Sequence, residues 1–157
     1  MTNVSTLRNV TADTRQNGTT TPAQRPVALV AWHAVEAVLR HSQTALAHID
    51  LTQPQWWALN NVVRAEHGLT REEIRALDVP YGMGSEVIAQ ASDALMHRGW
   101  LVAGTDGRLT LTDQGRAGFA RAQGHMAQVR ADLVGDITDE EYAVAVSVLQ
   151  RVTDNLA

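Results

Sequence analysis

The chain has 157 residues, enough for one domain with a real hydrophobic core and too few for two comfortable ones. Its 45% apolar and 19% charged residues are those of a soluble globular protein, and no run approaches the roughly 18 apolar residues of a membrane span. A net charge of −4 gives no overall attraction to nucleic acid, and the absence of cysteine excludes disulfides, thiolate metal sites and thiol-based sensing.

Residues 1–24 are rich in Thr, Asn and Gln and lack an apolar core and cleavage site, so they read as a disordered tail rather than a secretory signal. A cytoplasmic protein with no membrane partner is expected. Residues 25–157 are expected to form a single domain. Pro26 opens a first helix over about 26–48. Leu51-Thr52-Gln53-Pro54-Gln55-Trp56 then presents an N-cap threonine, a glutamine three residues on, a proline in the first turn and a Leu51/Trp56 staple, which start a second helix over about 53–66. Gly68 is read as its stop. Leu69-Thr70-Arg71-Glu72-Glu73-Ile74 repeats the capping box and starts a third helix over about 71–77. Pro80 and two glycines make 78–84 a turn, longer than the usual few residues of a helix-turn-helix pair.

The fourth helix, over about 85–97, carries Ile88, Ala91 and Leu95 at the spacing of a buried stripe. That leaves Ser85, Glu86, Ala89, Gln90 and Asp93 outward. Gln90 is the best reader of a base edge, since an amide can pair bidentately with adenine, whereas Ser85 also suits the role of N-cap. Arg98-Gly99 ends the helix, Trp100–Ala103 and Arg108–Thr112 form a hairpin about Asp106-Gly107, and a fifth helix runs over about 113–134. Ile137-Thr138-Asp139-Glu140-Glu141-Tyr142 is a third capping box, opening a sixth helix over about 139–155. The expected class is mainly α: a winged helix-turn-helix with six helices and a short β-hairpin wing.

This order of pieces, Leu51-Thr52-x-x-Gln55-Trp56-x-x-Leu59, Leu69-Thr70, Arg98-Gly99-Trp100-Leu101-Val102, Leu111-Thr112-x-x-Gly115-Arg116 and Asp139-Glu140-Glu141, resembles the MarR family of bacterial transcription regulators from about residue 26 to the end. The resemblance implies a homodimer held by the terminal helices, about 26–48 and 113–157, around a DNA-binding part of about 52–112. It further implies a palindromic double-stranded operator, with the fourth helix in the major groove and the wing at the minor groove. A small-molecule effector would lie between the two parts and loosen DNA binding. The expected function is a ligand-responsive repressor, not an enzyme, with no cofactor. Ser85, Gln90, Arg98 and Arg108 are the candidate DNA-binding residues. Trp32, His33, Trp57 and Asn61 combine flat apolar walls with a few polar groups and are the candidates for the effector.

Two features point to an alternative. Arg108 is the sole cation of a short wing, and from Pro54 to Arg116 six arginines face eight acids, a net of −2 where phosphate neutralisation should supply affinity. A winged-helix scaffold that no longer binds DNA, and binds or transforms a small molecule, would show the same pattern. No catalytic set accompanies His33, and His33, His41 and His48, though on one broad helical face, are spaced too widely to predict a metal site, with Glu36 the only acid inside that helix.

Overall fold

The computed structural model describes residues 25–78 and 84–157, and the chain divides after Ala34 into two units. The proposed tail and most of the turn before the fourth helix lie outside the described residues. Of the first unit, the described part is the beginning of α1 (Val27–Ala47), whose early amides bond to the Pro26 carbonyl. This stretch exposes Val27, Leu29, Val30 and Trp32.

The second unit carries the remaining elements: α2 (Gln53–Arg64), α3 (Arg71–Arg75), α4 (Ser85–His97), β1 (Leu101–Ala103), β2 (Leu109–Leu111), α5 (Asp113–Val134) and α6 (Asp139–Asp154). All three capping boxes form, with Thr52, Thr70 and Thr138 each accepting from the third residue of its helix and receiving that residue's side chain on its own amide. Among the described residues, six helices and a two-stranded antiparallel hairpin, with Leu101 opposite Leu111 and Ala103 opposite Leu109, are the architecture expected.

Two local readings are corrected. Helix α2 ends at Arg64, four residues before Gly68. Gly68 has φ +73, and a Cβ there would lie 2.2 Å from the Leu109 carbonyl oxygen. Its role is therefore to let Leu69 pair with Leu109 as an extra bridge beside the wing, with backbone bonds of 3.3 and 2.8 Å. The second correction is to α4. Ala89 is buried, because α4 packs against both α2 and α3 and its hidden face is wider than one stripe. Ile88, Ala91 and Leu95 are buried as expected, and the hidden Ser92 hydroxyl donates to the Ile88 carbonyl at 2.9 Å.

Trp100 anchors the core at 1% exposure. Its amide bonds to Leu95, its carbonyl accepts from Thr112, and its indole lies against Gly118 of α5. Trp56 stacks on Phe119, with ring centroids 5.5 Å apart. These contacts tie α5 to the root of the wing and to α2. Helix α6 differs from every other helix in the second unit, because none of its residues is buried in the single chain. Tyr142, Val146, Leu149 and Leu156 recur at helical spacing along one side of it and its C-terminal extension.

Candidate nucleic-acid interface and effector cleft

Helices α3 and α4 and the hairpin lie within one unit, so the helix-turn-helix pair and its wing form a single surface. On α4, Glu86, Gln90 and Asp93 follow one another at i, i+4 and i+7 and are all exposed. Gln90 is thus the central polar group of the outward face. Ser85 is the first helical residue rather than its cap: Gly84 occupies that position and supplies no side-chain bond, which leaves the Ser85 hydroxyl without the role of cap.

The arginines of this region have partners. Arg71 and Arg75, one turn apart on α3, pair with Asp93 and Glu86 of α4 respectively. Arg108, the wing cation, makes a two-pronged pair with Glu73 at 2.9 and 3.1 Å and also donates to the Gly68 carbonyl. The Thr70 amide, and after it the Arg108 guanidinium, hold the Glu73 carboxyl below its ordinary value. Arg116 pairs with Asp113 at the start of α5.

Arg98 points away from any free role. Its guanidinium donates to the Asp50 carbonyl at 2.6 Å and the Ile49 carbonyl at 3.4 Å, and it lies 4.3 Å from the centre of the Trp100 ring. The residue joins the α1–α2 turn, where Asp50 has a positive φ, to the end of α4. Arg98→Ala should therefore destabilise the fold by about 2 kcal/mol, from the lost charged hydrogen bonds and ring contact. Urea unfolding would measure this, and lysine would restore little because it lacks the planar fork.

The effector candidates fall in different places. Trp32, 60% exposed, and His33 lie on the first part of α1, before the division of the chain. Trp57 is half-buried against the core, and the Asn61 side chain bonds back to the Trp57 carbonyl at 2.9 Å, so the amide is occupied locally. A separate cleft of about 190 Å³ lies between the end of α1 and the second half of α5. His41, Thr44, Ala45 and His48 line one side, and His125, Gln128, Val129 and Asp132 the other. His41 Nε2 is 2.8 Å from Asp132 Oδ2, the Gln128 amide donates to Asp132 Oδ1 at 2.7 Å, and the His48 and His125 rings stack 6.4 Å apart. The Gln128 bond, and then His41, keep the Asp132 carboxyl below its ordinary value. Among the described residues no three such groups converge closely enough to hold a metal ion. His41 and His48 were visible on their helical face, but their partners lie over seventy residues away and only the antiparallel packing of α1 and α5 reveals them.

No protein-family model matches the sequence, and no curated protein matches it significantly. Solved structures do. The PcaV transcriptional regulator from Streptomyces coelicolor is 25% identical, with TM-score 0.67 over 84% of this chain and 98% of its own. The fold is that of the MarR family. CouR, a transcriptional repressor solved with p-coumaroyl-CoA, is also 25% identical, with TM-score 0.65 over 82% of this chain and 91% of its own. The Mycobacterium tuberculosis MarR family protein Rv2887, solved with DNA, is 18% identical at TM-score 0.65, covering 82% and 98%. The six helices and two-stranded hairpin described here match the winged-helix folds of these structures.

Proposed function

We propose that the chain is a ligand-responsive, DNA-binding transcription regulator, a cytoplasmic repressor that works as a homodimer and carries no catalytic role. The observation that carries this reading is the exposed face of α4, with Gln90 at its centre, set beside the wing in one rigid surface. A helix presenting polar groups next to a hairpin fits a major groove with the hairpin beside it. Support comes from the MarR-type neighbours: Rv2887 was solved with DNA and also with p-aminosalicylic acid, and CouR with p-coumaroyl-CoA.

Dimerisation follows from α6. A sixteen-residue helix with no buried residue is not self-supporting, and its apolar side requires a partner. A second copy supplies one, and two-fold symmetry would present two α4 helices to a palindrome.

For the effector, the α1–α5 cleft offers imidazole and amide donors over an Ala45 and Val129 floor, suited to a small aromatic or amphipathic molecule with a polar end. Trp32, His33, Trp57 and Asn61 are the rival set drawn from the sequence. His48→Ala and Trp57→Ala, compared by ligand titration, separate the two. The switch is a population shift: ligand favours a dimer whose recognition helices no longer match half-sites about one DNA turn apart.

The test is fluorescence anisotropy on the chain's own upstream intergenic DNA, titrated in salt. Gln90→Ala should weaken operator binding by about 1–3 kcal/mol and relax the base preference at one position in each half-site. No binding of the unaltered protein to this DNA even at low salt would sink the reading in favour of the scaffold that no longer binds DNA.

A further inference from the structure

The surface assigned above to DNA has its positive charge already engaged. Arg71 meets Asp93, Arg75 meets Glu86 and Arg108 meets Glu73, so three acids of the same surface hold the three arginines that α3 and the wing contribute. The geometry is ordered rather than scattered. Arg71 and Arg75 share one side of α3, Glu86 and Asp93 share one side of α4, and the two pairs form rungs that bracket Gln90. The third pair closes the wing onto α3.

None of these pairs is buried, with side-chain exposures between 33% and 63%. Exposed ion pairs are weak and exchange readily with other anions. Phosphate presents the same forked acceptor geometry to a guanidinium as carboxylate does. Resting on the regulator reading, we propose that this face is a phosphate-binding surface kept in a self-paired state: Asp93, Glu86 and Glu73 occupy Arg71, Arg75 and Arg108 until DNA phosphates displace them. The acids then act as built-in competitors that hold non-specific affinity down, leaving discrimination to Gln90. The exchange also explains how a region with more acids than arginines can serve DNA at all. Each freed carboxylate gathers a cation when its arginine leaves, so fewer ions are released on binding and the salt dependence is shallower than the arginine count implies.

The acids can be neutralised without changing shape. Glu73→Gln preserves the α3 capping box, since glutamine also reaches back to the Thr70 amide. Glu86→Gln and Asp93→Asn alter exposed side chains only. The experiment measures binding of the full chain to a mixed-sequence 30-base-pair duplex across a salt series, with Glu140→Gln on α6 as a control of equal single-charge change away from this face. The triple variant should bind at least tenfold more tightly than the unaltered protein at low salt. Its salt slope should steepen by about 0.9 for each arginine released, or about 2.7 in all. Glu140→Gln should stay within about twofold with no change of slope, and Arg108→Ala in the triple background should return part of the gain. Glu73→Gln measured alone keeps the test decisive if the triple variant folds poorly. A triple variant no tighter than Glu140→Gln, with the unaltered protein binding DNA, overturns self-pairing and leaves the regulator reading intact. No binding by any variant, on this duplex or on the upstream DNA, overturns both.

Discussion

Replacing Leu149 with aspartate should leave a monomer that has lost most of its DNA affinity. Leu149 lies near the middle of the apolar side that α6 presents together with Tyr142, Val146 and Leu156. A carboxylate at that position must be desolvated against a second copy of the same surface, and the two-fold axis repeats the cost for each subunit. The helix itself survives, because its Thr138/Glu141 capping box is remote from the substitution. Light scattering should report half the mass of the unaltered protein. Operator affinity should fall by about 10²–10⁴, the gain that linking two half-site contacts in one particle supplies. A dimer that persists with unchanged affinity would refute the assignment of α6 to the interface.

Two glycines of one helix should respond in opposite directions. A Cβ on Gly118 would sit 2.3–2.5 Å from three carbons of the Trp100 indole, which is buried and bonded at both its amide and its carbonyl. Neither α5 nor the ring can give way without disturbing the root of the wing. Gly118→Ala gains roughly 1 kcal/mol of helix propensity and loses about 1–3 kcal/mol through overpacking, so the net effect is destabilising, and Gly118→Val should be worse. Gly124, six residues on, meets nothing within 4 Å. There the propensity term stands alone, and Gly124→Ala should stabilise by about 0.5–1 kcal/mol. Thermal unfolding of the two alanine variants, run side by side, reads the sign directly. A stabilised Gly118→Ala would mean that Trp100 is not the rigid anchor of this fold.

What the sequence reveals and what it hides follow the range of the interactions concerned. The three capping boxes are local, their residues three apart, and all of them form where Thr52, Thr70 and Thr138 announce them. The start of α5 is local in the same sense, with Thr112 accepting from the Gly115 amide as its cap. Non-local demands were hidden. Gly68 looked like a helix stop because the Leu109 carbonyl that forbids a side chain there is forty-one residues away. Ala89 looked exposed because the sequence showed one apolar stripe on α4, whereas packing against both α2 and α3 hides a wider face. Arg98 and Arg108 looked free because a count of charges cannot say which arginine meets which acceptor. The α1–α5 cleft needed His125, Gln128 and Asp132 to be brought opposite His41 and His48, which is a property of packing alone.

Helix α5 is a single unbroken rod of 22 residues, about 33 Å long at 1.5 Å per residue. Its first turn is pinned to the wing through Thr112, Trp100 and Gly115, and residues 125–132 form one wall of the histidine cleft. The two stations are about 18 Å apart along the axis. Mechanically it is a lever with one end in each place. The wing does not swing as a separate flap, because the Leu69–Leu109 backbone bridge fastens it to the neighbouring helix-turn-helix. A molecule wedged into the cleft that tilts the rod by about 10° would therefore carry the whole reading head by about 3 Å, close to the 3.4 Å rise of one base pair.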